Sequence, residues 1–200
     1  MFTSGTNAPG EPLQEKFVNY IKDVYAMEDR FNYTLGQYSE QLKSFKEFPE
    51  FRAKISQCTD ACKPHLAHIA SRLNFYKVQP PTLDDTFSPF MSPIVSCFTS
   101  VKPQTIAGFA ATWYTMEQFK IASYRLLTTF AQAYGDTETV RVAEEHLREE
   151  VETQRWIFEK LPEVCLFSLQ HENVPVPQTA WDFARQLELV GTATNFPIPR

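Results

Sequence analysis

Three glutamates, Glu28, Glu117 and Glu150, and the pair Cys62-x-x-His65 stand in the middle of otherwise apolar, helix-spaced stretches. A buried carboxylate is costly unless it is paired, hydrogen-bonded or bound to a metal, and three at one level repel unless something cationic lies between them. A metal ion would serve. In helix-bundle di-metal centres two helices each supply one Glu and the other two each supply a Glu-x-x-His pair, the spacing of three putting both ligands on one face. Glu28 and Glu117 suit the single positions. Of the pairs, Cys62-x-x-His65 carries Cys for Glu, and Glu150-x-x-Thr153 carries Thr for His. The candidate metal set is therefore Glu28, His65, Glu117 and Glu150, plus the thiol of Cys62. Missing donors weaken a second metal position more than a first, so at most one ion is expected, with iron, manganese and zinc as candidates. A metal-free centre is the alternative, its carboxylates sharing protons or pairing with His65 as an imidazolium. Cys58, Cys62 and His65 share one helical face, where thiolate plus imidazole would favour zinc or copper. The plainer reading of both thiols is small buried apolar groups.

These residues need helices to carry them. Leu13 to Phe48 and Thr105 to Leu161 contain no proline, and Glu50 to Gln79 contains one, Pro64. Four seams spaced by three and four residues follow. The first runs Phe17, Ile21, Val24, Glu28, Phe31, Leu35, Tyr38, Leu42, Phe45. The second runs Phe48, Phe51, Ile55, Cys58, Cys62, His65, Ile69, Leu73, Tyr76. The third runs Ile106, Ala110, Trp113, Glu117, Ile121, Tyr124, Thr128, Ala131. The fourth runs Val140, Ala143, Leu147, Glu150, Gln154, Ile157, Leu161. Helices are predicted near 13–45, 48–77, 105–134 and 137–161. Pro64 marks either a kink beside His65 or a break between two helices. Tyr25 and Tyr114, one turn before the seam glutamates, read as core aromatics, while His68 and His146 are expected at the surface or beside the ligands.

The connections set the topology. Helices one and two meet at Lys46 to Pro49. Helices three and four meet at Gly135, suited to a left-handed cap, and Asp136 or Thr137, suited to start the next helix. Both pairs must be antiparallel hairpins, and Pro80 to Pro103, with five prolines, makes a long crossover. An all-α, ferritin-like four-helix bundle follows, rather than a simple up-down bundle. Folding each hairpin about its turn brings Glu28 level with His65, and Glu117 level with Glu150 to Gln154. Tyr25-Ala26-Met27-Glu28 is echoed by Tyr114-Thr115-Met116-Glu117, as in two related hairpins. The expected organisation is a flexible arm over 1–12, the bundle over 13–161, and a proline-rich tail over 162–200 with one short helix. Trp181 and Phe183 of that helix are expected to cover a bundle face or a dimer contact.

From Gln14 to Leu161 the chain resembles the bacterial ferritin-like stress-response proteins of the YciE/YciF type. The resemblance lies in FVNYIKDVYAMEDRF, HLAHIASRL and YTMEQFKIASYRLL…AEEHLREEVETQRWIFEKL, with KDVYAME and MEQFKIASY its most specific parts. It implies a commonly dimeric four-helix domain linked to stress responses, with Glu28, His65, Glu117 and Glu150 as ligands. Gln118 and Lys120 stand where members often carry His and Glu, and Cys62 and Thr153 also depart from the pattern.

Composition narrows the remaining classes. Two hundred residues, 43% hydrophobic and 22% charged, suit one compact domain. With 19 Lys and Arg against 24 Asp and Glu the net charge is −5, which lacks the basic field of a nucleic-acid binder. The longest uncharged run, Thr86 to Val101, is too short and too proline-broken to span a bilayer. No secretory signal is visible, and four cysteines do not make a disulfide framework, so a soluble cytoplasmic protein without nucleic-acid or membrane partners is expected, a homodimer where the resemblance holds. Six scattered glycines build no phosphate loop, and no Ser/His/Asp arrangement is present.

Overall fold

A computed structural model describes residues 11–42, 49–82 and 105–193. Among them are five helices and no strand: α1 (Glu11–Gln41), α2 (Pro49–Phe75), α3 (Ile106–Tyr134), α4 (Thr137–His171) and α5 (Gln178–Ala193). None is long and apolar enough to cross a membrane. Residues 1–10 of the expected arm, the first hairpin turn and most of the proline-rich crossover lie outside the described residues, whereas Glu11 and Pro12, expected in the arm, open α1.

Side-chain pairs give the directions of the helices. Along α1 and α2, Phe17 meets Tyr76 and Glu28 meets Cys62, so rising numbers face falling ones. Along α1 and α3 the pairs are Tyr20 with Phe130, Phe31 with Phe119, and Tyr38 with Phe109, again antiparallel. Tyr124 with His146 and Trp113 with Trp156 make α3 and α4 antiparallel as well. The order is therefore up, down, down, up, with α2 and α3 parallel on a diagonal. The end of α2 and the start of α3 therefore lie at opposite ends of an all-α bundle.

Local chemistry explains the ends. The Thr105 hydroxyl oxygen accepts from the Gly108 N–H and caps α3, while Gly135, at φ 89°, takes the left-handed cap that a side chain would strain. Asp136 caps α4 by accepting from the Thr139 N–H, and its other oxygen accepts from Arg72 at 2.8 Å and from Tyr76 at 2.6 Å. One carboxylate thus ties the end of α2 to the α3–α4 turn. Burial lifts that carboxyl's pKa, but these hydrogen bonds more than reverse it and hold Asp136 below the ordinary range.

Two elements run beyond their expected limits. The α2 helix passes through Pro64 without a break, because Cys62, His65, Ile69 and Leu73 continue its inward stripe on both sides of an exposed proline. Similarly, α4 does not stop at Leu161. It contains Pro162 and continues to His171, burying Val164 and Ser168. The continued stripe offsets the roughly 3 kcal/mol that an interior proline costs a helix. On that extension α5 docks, with Trp181 edge-on to Phe167 at 4.9 Å and Ala184 buried, whereas Phe183 is 60% exposed.

The apolar interior falls into two clusters. One gathers Phe17, Ile21, Val24, Phe31, Ile69 and Leu127; the other gathers Leu35, Phe51, Ile55, Phe109, Trp113 and Ile157. Between them lies a polar layer.

Candidate metal centre

Each of the four long helices sends a buried polar side chain into that layer: Glu28 from α1, Cys62 and His65 from α2, Glu117 and Lys120 from α3, and Glu150 from α4. Their seams lead there because Glu28 lies mid-way along a stripe of wholly apolar neighbours, and the other helices cross it at the same level. At the centre is the ammonium of Lys120. Its Nζ lies 2.6 Å from Glu150 Oε1, 3.2 Å from Glu28 Oε2 and 3.8 Å from Glu117 Oε2. His65 is the second cationic group. Its Nδ1 lies 3.3 Å from Glu150 Oε1 and 3.7 Å from Glu28 Oε1 with hydrogen-bond geometry to neither, and its Nε2 is 3.0 Å from Glu149 Oε2.

The remaining bonds fix these groups. Tyr124 donates to Glu28 Oε1 at 2.5 Å, the Cys62 thiol donates to Glu28 Oε2 at 3.4 Å, and the Trp113 indole donates to Glu117 Oε1 at 2.7 Å. His146 Nδ1 is 3.2 Å from the Tyr124 hydroxyl, and its Nε2 is 3.1 Å from Nδ1 of His68, which is exposed. The rings of His65 and His146 stack at 3.9 Å. A chain of polar contacts thus runs from Glu28 outward. A cleft of about 230 Å³ between α2 and α4, lined by Cys58, Cys62, His65, Lys120, Glu150 and Thr153 among others, opens towards the same cluster.

Burial and charge act against each other in this layer. Burial raises the Glu28 and Glu150 carboxyls, and the Lys120 ammonium with His65 more than reverses that, so both are carboxylates. Glu117 goes the other way: its burial and the charge of Glu150 outweigh the more distant Lys120, and it is held as a neutral acid. Burial disfavours charge on Lys120, but the surrounding carboxylates hold it protonated. For His65, burial is outweighed by the adjacent Glu150 and Glu28 carboxylates, which push it up to about 10. Two anions thus face two cations. His146 shows the opposite behaviour: burial and the cationic His65 beside it push it down to about 3, so it is neutral. Burial pushes the Cys58 thiol up to about 11 and the Cys62 thiol well above its ordinary range, which keeps both protonated.

The sequence-derived residues are all in one layer, yet they do not all converge. Among the described residues, Glu28, His65 and Glu150 form a group whose ligand atoms lie within 4.8 Å of one another. Glu117 and Cys62 stay outside it, Glu117 held by Trp113 and Cys62 spent on Glu28. Thr153, in the expected position of a histidine, lies 3.9 Å from Cys58 Sγ. These donors do not fit a two-metal centre. Only three converge, and a fixed ammonium lies within 3.2 Å of two of them.

Two seams keep most of their expected residues inward, Trp113, Glu117 and Tyr124 on α3 and Ala143, Glu150 and Ile157 on α4, but differ at single positions. On α3 the inward residue is Lys120, with Ile121 half-buried. On α4 the inward residues are His146 and Thr153, with Leu147 and Gln154 half-buried. The Glu117-x-x-Lys120 spacing, identical to that of a ligand pair, is the signal that could have found the lysine. Nothing comparable marks the contacts of Tyr124 or His146, which depend on packing between helices.

Residues 12–167 match a family described as "Domain of unknown function (DUF892)", and the chain belongs to that family. In fold it is similar to protein XCC3681 of Xanthomonas campestris pv. campestris, with a TM-score of 0.66 and 21% identity over 82% of this chain and 99% of that one. It is also similar to YcfI of Rhodopseudomonas palustris, described as a putative structural protein, with a TM-score of 0.59 and 15% identity over 79% of this chain and 98% of that one.

Proposed function

We propose that this DUF892 chain is a ferritin-like stress-associated protein of the YciE/YciF type, acting as a cytoplasmic homodimer. Its centre holds at most one divalent ion and does not run efficient oxidase chemistry. The observation that carries this reading is the donor count: Glu28, His65 and Glu150 converge, and among the described residues no second set of donors accompanies them. An open di-iron centre needs about six protein ligands, so a second ion lacks the coordination to compete with water. The buried Lys120 ammonium favours a further reading, a metal-free helical module acting through dimerisation or a partner surface.

Metal stoichiometry tests the proposal. Full-length protein purified without chelators, then loaded separately with iron, manganese and zinc, should carry no more than one ion per chain by elemental analysis. Two irons per chain would overturn it and restore a redox enzyme as the leading reading.

A further inference from the structure

We infer that Lys120 is a tethered cation standing where a metal would stand, so that the bundle centre is complete without one. The inference rests on the donor count above and extends it by naming the occupant. Nζ lies within 4 Å of carboxyl groups from three helices, α1, α3 and α4. An ammonium has three N–H donors and no acceptor, so it can pair with both carboxylates, Glu28 and Glu150, at once and still face the Glu117 carboxyl. Lys120 also follows Glu117 by three residues, which puts the tip of its side chain over the same face as that carboxyl.

What Lys120 leaves unsatisfied supports the same inference. Glu117 Oε2 and His65 Nδ1 are both buried, both face the cluster, and neither has a hydrogen-bond partner. An ion with more coordination positions than an ammonium would engage such atoms. Moreover, His65 has Nε2 against Glu149, the kind of outer contact that orients a metal-bound imidazole. The layer therefore retains a vestigial donor set, closed by a side chain. Because Lys120, His65 and Glu150 line the cleft between α2 and α4, removing the lysine would open those two donors to solvent.

Full-length wild type, K120R and K120Q, each stripped with EDTA, are compared by zinc and manganese titration and by thermal unfolding. The wild type should melt at the same temperature with and without either ion, and K120R should behave likewise. K120Q should melt lower when stripped, bind one ion per chain, and recover most of the lost stability with it. Its apparent affinity should exceed that of the wild type by on the order of 100-fold or more, because a like charge within contact distance has gone. A wild type that binds one ion tightly, or a folded K120Q that gains none, overturns this inference and leaves the donor-count reading standing. Two ions on the wild type overturn both. If K120Q does not fold with or without ions, K120M/E150Q decides, since one anion leaves with the cation. Folding without metal supports Lys120 as the counter-charge, and failure to fold overturns it.

Discussion

Replacing His146 by glutamine should change the acid sensitivity of the fold in a direction the layer dictates. His146 is buried, stacked on the cationic His65, and pushed down to about 3 from an ordinary 6.5. Below pH 6.5 the unfolded chain takes up a proton at this position that the native chain refuses until about pH 3. Unfolding therefore gains stability relative to the native state as pH falls through that window, and the native state is disfavoured. At about pH 5 the proton taken up is worth roughly 2 kcal/mol, from 1.36 kcal/mol per unit over the gap between the unfolded value and the solution pH. Near neutral pH the same term is close to zero. There the substitution should cost about 1–3 kcal/mol, because glutamine cannot keep both polar contacts, to Tyr124 and to His68, nor the stack on His65.

The measurement is urea unfolding of wild type and H146Q, read as the difference between them at several pH values from neutral to about pH 5. Taking the difference matters because Glu117, held protonated in the native state, contributes with the opposite sign over part of the same range. The gap should close by roughly 2 kcal/mol on acidification, so that the variant approaches or passes the wild type. A gap that stays constant, or widens, would refute the claim that His146 is held neutral by its surroundings.

Other outcomes follow from the same layer and its supports. His65, raised to about 10 from 6.5, contributes stability that is fully present below pH 6.5 and is lost as pH rises through about 10; H65Q should remove that part of the alkaline slope in chemical unfolding. Y124F deletes the hydroxyl between Glu28 and His146 and should lower the unfolding free energy by about 1.5–3 kcal/mol, as bonds to charged groups do, with a near-zero loss counting against the buried network. V164A, beyond Pro162 on α4, should cost about 1.5–3 kcal/mol in urea unfolding, while F183S, on an exposed face of α5, should change little.

The large-scale order of this bundle is written in periodicities that do not depend on partners. Proline-free lengths with three-four spacing marked the four long helices, and one long crossover between two short connections marked their directions. Helix ends were less legible where a stop signal competed with burial. Pro162 reads as a terminator, but Val164 and Ser168 have a face to cover, and tertiary packing prevails over a local propensity. The site divides in the same way. Glu28, His65, Glu117 and Glu150 could be placed in one layer by folding each hairpin about its turn. Which cation answers their charge could not, because Trp113, Glu117 and Tyr124 face inward as expected whether Lys120 or Ile121 borders them. With Ile121 inward the layer would need an external ion; with Lys120 inward the chain supplies its own. The periodicity tolerates either, since both residues border the seam. The desolvation of Glu28 and Glu150 breaks the tie, because it favours burying an ammonium beside them.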